Sequence, residues 1–407
     1  LVLACIVLYG ACFAEAENTE FRQFLDLSYR RHTRFEESLE VLESFDRAAL
    51  TPEDQLSYDL YEWYLEDKLF FWPIALGDMP ASDVPYADLL CHYTTTAWLP
   101  EELFAILSTE VDGNHSAVDA LYTQLSINGD TMADRRAQAV AIGEERAKTT
   151  GRSVTEEMQS YVDGAQRSLS EYFTWYPSEP AIVTQVPGLS ALAGFRWGSE
   201  AQGRPNQVQI LPGRDGIPYV LRRTVSYHEA FPGHYVQEYN QKQLAHLPEF
   251  RERWGFSAYS EAWALYGEQL AWDVGLYENA DLLHRLGFHE SKLFRSAFAM
   301  ADIALHAIGW DERDVEVFLM DTLGIDEREA GERIAYMRGS PAAATAAYTG
   351  CVCLTRYRER MHLALNGGFR LKDYHDLVLQ IGPVPMNVLE RIVGEYIESH
   401  ADTQEAD

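Results

Sequence analysis

Along most of this chain apolar residues recur every three to four positions, the period of an amphipathic helix, while strand-like alternation is confined to one short region. Residues 18 to 70 carry the helical period in two or more segments. Thr51-Pro-Glu-Asp marks a start between them: the threonine side chain accepts backbone N–H bonds, and proline suits a first turn where its missing donor is not needed. Residues 75 to 97, rich in Pro, Asp and Thr, predict a loop. Helices are predicted again over 100 to 125, 131 to 149 and 154 to 175, the last with Met158, Tyr161, Val162 and Ala165 on one face, and together they predict a helical wall. The pattern changes over 177 to 220, where Ala181-Ile-Val-Thr-Gln-Val186 and Asn206-Gln-Val-Gln-Ile-Leu211 alternate between Pro/Gly turns and predict a small sheet. From 222 onward the helical period returns, over 222 to 243, 257 to 274, 279 to 308, 311 to 323, 326 to 337, 341 to 365 and 386 to 399. The expected class is mainly α, a large helical body with a small β-sheet just before the helix that begins at 222.

Composition narrows the partners more than the fold. The 407 residues exceed the usual single-core size, yet no Gly/Ser/Pro-rich linker divides them, so one large body with sub-lobes is the simpler expectation. With 33 basic against 63 acidic residues the formal charge is −30, a field that repels nucleic acid and anionic membranes, so neither is expected as a partner. The opening run Leu1 to Ala14 is apolar but too short for a stable transmembrane helix; it looks like the core of a secretion signal. Ala14-Glu-Ala16 suits cleavage, and Gly10-Ala-Cys12 loosely matches a lipoprotein site, so export to the periplasm or cell envelope is expected, with a buried N-terminal helix as the alternative. The five cysteines form no paired framework, and Cys351 and Cys353 read as packed thiols. Residues 398 to 407, an acidic tail, are expected to be disordered.

The chemistry concentrates in Ser226-Tyr-His-Glu-Ala-Phe-Pro-Gly-His-Tyr-Val-Gln237 and Ser260-Glu-Ala-Trp-Ala-Leu-Tyr266. His228-Glu229 begins like the His-Glu-x-x-His helix that places two imidazoles one turn apart on a metal. Here the second histidine comes late. On a regular helix a residue six positions on lies about 120° round and roughly 9 Å along, so His228 and His234 could not converge on one ion. Pro232 and Gly233 fall in the interval and predict a kink or bulge that re-aims His234. Glu261 heads an apolar helical run, where a carboxylate turned inward needs a strong partner, and a metal is one. The blander alternative is an ordinary buried turn, with Glu261 paired to an arginine.

At these residues the chain resembles the bacterial domain-of-unknown-function family 885, whose signature is His-Glu-x-x-Pro-Gly-His-His and which is grouped with the gluzincin metallopeptidases. Tyr235 replaces the second histidine of the final pair. The likeness continues through Glu261-Ala-Trp-Ala-Leu-Tyr266, Leu293-Phe-Arg295, Ala301-Asp-Ile-Ala-Leu-His306 and Tyr374-His-Asp376 to Pro383-Val-Pro385, covering about residues 180 to 400. Phe24 to Tyr29 and Leu56 to Tyr64 also look familial, although the N-terminal part is shorter than family members usually are. The expected organisation is a signal segment over 1–16, an N-terminal helical region over 17–176, a zincin-like metal-binding region over 177–400 and a tail over 401–407.

The resemblance implies one zinc ion held by His228, His234 and Glu261, with Glu229 as the base that activates water. Tyr348 would donate to the developing oxyanion, although this chain lacks the family's neighbouring glutamine and shifts the tyrosine by one. Arg295, Asp302, His306 and Arg356 are candidates for binding a substrate carboxylate or orienting the ligands; Asp302 and His306, spaced i,i+4, share a helix face. His375 beside Asp376 reads as structural. The expected function is a zinc-dependent peptidase of short peptides. A helical binding protein without turnover and a hydrolase of other amide or ester bonds are the alternatives, and oligomeric state is left open.

Overall fold

The structure, a computed structural model, describes residues 19–401 apart from 32, 214 and 215; the signal-like opening and most of the acidic tail lie outside the described residues. The described chain is mainly helical with one small sheet, as its hydrophobic period dictates. Helices α1 (Thr19–Tyr29), α2 (Phe35–Glu43) and α3 (Pro52–Ala75) open it, and Thr51 caps α3 by accepting the Asp54 N–H at 3.2 Å. The stretch expected as a loop instead contains α4 (Tyr86–Thr94), whose Leu89 and Leu90 are buried; two prolines before it obscured a short apolar face. Next come α5 (Pro100–Gln124), α6 (Met132–Thr150), α7 (Val154–Gln166) and the single turn α8 (Leu169–Tyr172).

The sheet has three strands, β1 (Ala181–Gln185), β2 (Ala193–Arg196) and β3 (Asn206–Ile210), with β3 in the centre. β1 runs parallel to β3 with Val183 opposite Val208, and β2 runs antiparallel with Phe195 opposite Val208. The sequence pattern indicates β1 and β3. It misses β2, four residues long with a glycine inside and no alternation.

The remaining helices are α9 (Arg222–Glu229), α10 (His234–Gln243), α11 (Glu249–Arg253), α12 (Ser260–Asp273), α13 (Leu282–Ile303), α14 (Glu312–Leu323), α15 (Glu327–Gly339), α16 (Ala346–Leu365), α17 (Leu371–Leu379) and α18 (Met386–Ala401). α18 thus continues past Glu398, where disorder was expected, to Ala401. One contiguous set of buried apolar side chains runs from Phe21 to Tyr396, so the described helices share a core.

α12 lies at its centre. Its Ala262, Trp263, Ala264 and Tyr266 are buried, and α16 packs so tightly against its start that a Cβ on Gly350 would stand 2.1 Å from the Ala258 carbonyl oxygen. No described helix is long and apolar enough to cross a membrane.

Candidate metal centre

Three elements meet at one cavity of about 1000 Å³: the end of α9, the start of α10 and the start of α12. The helix expected over 222 to 243 is two helices. α9 stops at Glu229, the Phe231–Pro232 peptide is cis, and α10 restarts at His234. Gly233 makes the turn fit: its N–H donates to the Tyr227 carbonyl at 3.0 Å, and a Cβ there would lie 1.9 Å from the His228 carbonyl oxygen. α12 holds the turn from the other side. The Trp263 indole N–H donates to the Pro232 carbonyl at 3.0 Å, and a Cβ on Gly267 would stand 3.1 Å from the Gly233 Cα, so only a small residue lets α12 approach this closely.

The break re-aims His234. Its Nε2 lies 3.5 Å from Glu261 Oε1, and the His228 Nε2 lies 3.6 Å from Glu261 Oε2. One donor atom from each of the three residues falls within 4.8 Å of the others, and this is the only such group of three or more found among the described residues. Ligands about 2.0–2.1 Å from a tetrahedral ion stand roughly 3.3–3.4 Å apart, so the observed spacing suits one small cation. Two imidazoles and a carboxylate form a donor set suited to a divalent transition metal. Glu229, buried and next to His228, lines the same cavity but is not one of the converging donors.

Electrostatics bind the group together. Burial pushes the His228 pKa down, but the carboxylates of Glu261 and Glu268, with the charge of Glu229, outweigh it and hold it up at about 9. His228 and then His234 keep the Glu261 carboxyl well below its ordinary value. Glu268 escaped the sequence reading. Its Oε1 lies 2.8 Å from His228 Nδ1, it is buried, and Ser291 Oγ donates to its other oxygen at 3.2 Å. It therefore fixes which imidazole nitrogen faces the metal position. The signal was present: Glu268 follows Glu261 by seven residues, two turns along the same face of α12.

The other candidates divide. Arg295 lines the cavity. Tyr348 does not; it is buried between helices, donating to Glu110 at 2.8 Å and accepting from Asn114 at 3.2 Å. Asp302 is buried at the end of α13, where it accepts from the Tyr86 hydroxyl at 2.7 Å and the Ala342 N–H at 2.9 Å, and burial raises its pKa to about 7 despite these bonds. His306 stacks on the same Tyr86 ring and meets the Met337 carbonyl at 3.1 Å, so the shared face of Asp302 and His306 serves packing around Tyr86. Arg356 lies over the Trp98 ring and is not among the cavity-lining residues. His375, pushed down to about 3 by burial, stays neutral and joins Tyr266 on α12 to the Tyr172 carbonyl, in keeping with a structural role. Cys351 and Cys353 are free thiols, kept protonated by burial that pushes both up to about 12.

Tyr235, where the signature has a histidine, turns to the sheet. It stacks on Phe195, accepts from the Asn206 amide at 2.6 Å and donates to the Glu179 carbonyl at 3.2 Å. This ties α10 to β2, and Ala193, Gly194 and Phe195 of that edge strand line the cavity.

A family model described as "Bacterial protein of unknown function (DUF885)" matches residues 73–393. Two similar solved structures are both described as putative lipoproteins. The one from Colwellia psychrerythraea is 24% identical at a TM-score of 0.69, covering 89% of this chain and 66% of its own. The one from Shewanella oneidensis, of unknown function, is 15% identical at a TM-score of 0.63, covering 90% of this chain and 73% of its own. This chain therefore spans a little under two thirds of the Colwellia protein, and the likeness bears on the fold. None of the curated proteins matches.

Proposed function

Because the chain belongs to the DUF885 family of bacterial proteins of unknown function, we propose from its own site that it is a zinc-dependent hydrolase acting on short peptides. The observation that carries this reading is the convergence of His228, His234 and Glu261 within 4.8 Å, with the separate carboxylate of Glu229 on the same cavity. A purely structural metal site needs ligands but no such additional carboxylate.

His228, His234 and Glu261 would hold the ion, and Glu268 would keep His228 turned toward it. When bound, the metal supplies positive charge that acidifies a water and polarises the substrate carbonyl. Glu229 takes the proton of the attacking water and returns it to the departing amine nitrogen. β2 offers an edge along which an extended peptide can lie, held by main-chain hydrogen bonds that ignore side-chain identity. Location in the cell envelope belongs to the same reading, supported by the apolar opening of the sequence and the descriptions of the two solved structures.

Elemental mass spectrometry after dialysis against a weak chelator tests the site: about one zinc per chain is expected in the wild type and little in His234→Ala. Glu229→Gln should keep its zinc and lose turnover on a panel of short peptides, amides and esters, which also identifies the bond cleaved. A folded wild type that holds no metal would overturn the proposal.

A further inference from the structure

Resting on the reading of this cavity as a hydrolase site, we infer that its α6 and α13 side receives the free C-terminal carboxylate of a short peptide, through Arg136 and Arg295. Three cations on the cavity wall are engaged. Arg333 pairs with Glu329 at 3.3 Å, Arg253 with Glu249 at 3.1 Å, and Lys242 lies over the Trp197 ring at 3.4 Å. Arg136 and Arg295 line the same cavity, are partly buried, and make no hydrogen bond or ion pair among the described residues. Glu290 feels the charge of Arg136 but is held by the Tyr122 hydroxyl at 2.7 Å. A half-desolvated guanidinium without an anion forfeits its strongest interactions, and a carboxylate restores them in bidentate geometry.

Position argues for the end of a peptide. Arg295 follows Ser291 by four residues on α13, about 6 Å along the same helix face. Ser291 donates to Glu268, which touches His228. An extended peptide advances about 3.3 Å per residue, so a carboxylate on Arg295 leaves room for roughly one or two residues between it and the converging donors. Cleavage there releases a single amino acid or a dipeptide from the C-terminus.

Binding to the zinc-loaded Glu229→Gln protein, in which turnover is blocked, tests this by calorimetry. N-acetyl-trialanine with a free C-terminus should bind at least about tenfold more tightly than its amide. Arg136→Met and Arg295→Met should each shrink that ratio several-fold without moving the amide's affinity, and Arg295→Lys should restore part of it. Equal affinities, a ratio unchanged in both methionine variants, or no binding of either peptide would overturn the inference. Equally tight binding of an amidated peptide ending in glutamate would overturn it in favour of side-chain recognition. The hydrolase reading fails separately: if zinc-loaded wild type cleaves none of these peptides while the free-acid preference persists, the carboxylate site stands without the catalysis.

Discussion

Glu268 shows how one buried side chain decides what another can do. With its carboxylate 2.8 Å from Nδ1, it leaves Nε2 of His228 facing His234 and Glu261. Glu268→Ala should therefore weaken zinc affinity by about 10–100-fold while the circular dichroism spectrum stays native, as chelator competition would measure. The same carboxylates give a pH signature. In the metal-free protein His228 holds its proton up to about pH 9, so bound metal must displace it, and apparent zinc affinity should fall about tenfold per pH unit below 9 and level off above it. The sign for folding is the opposite. A histidine whose pKa is raised by folding contributes stability that is complete below its ordinary 6.5 and is lost as pH rises through about 9. Metal-free protein should thus melt at a lower temperature at pH 9 than at pH 6.5, by an amount that shrinks in Glu268→Ala. His228, His234 and Glu261 were legible in sequence because together they matched a family signature, although the six-residue histidine spacing by itself argued against convergence. Arg136 was not legible, since nothing local marks a guanidinium as facing a cavity built from distant helices, and Glu268 was marked only by its seven-residue spacing from Glu261, which does not say what lies opposite it.

At the scale of elements, the break between α9 and α10 converts an unworkable six-residue spacing into a site. Gly233 has ordinary negative φ, so steric room and not backbone handedness fixes it as glycine; the His228 and Tyr227 carbonyls fill the place a Cβ would take. Gly233→Ala should displace the turn, lowering the melting temperature by several degrees and emptying the metal site together. Gly331 supplies the contrast. It lies within α15, and a Cβ there meets nothing within 4 Å, so Gly331→Ala should leave zinc content unchanged and stabilise by about 0.4–1 kcal/mol in thermal or urea melts. Long helices such as α5, α6 and α16 were readable because their apolar stripes repeat over many turns. α4, α11 and β2 were not, because each is too short to establish a period and is held by neighbours its own sequence does not name.

Across the whole molecule, one core joins the N-terminal helices to the site-bearing ones, with Phe250 of α11 packed against Tyr61 and Tyr64 of α3. Zinc binding to the native state should therefore raise the unfolding transition of the chain as a unit, by about 2.7 kcal/mol when free zinc is a hundredfold above its dissociation constant. Tryptophan fluorescence and circular dichroism should report that shift at the same temperature. Helical class, a small sheet ahead of the histidine helix and a break at Pro232-Gly233 were determined by the sequence itself, because periodicity and turn chemistry are local properties, while His228, His234 and Glu261 were named by their match to a family signature. Tertiary structure alone decided which carboxylate meets His228, which candidate tyrosine and acid lie between helices away from the cavity, and which arginines face the cavity unpaired among the described residues. The physical reason is distance along the chain: burial, orientation and charge neighbours arise where helices far apart in sequence are pressed into one core, and no window of the sequence contains both sides of such a contact.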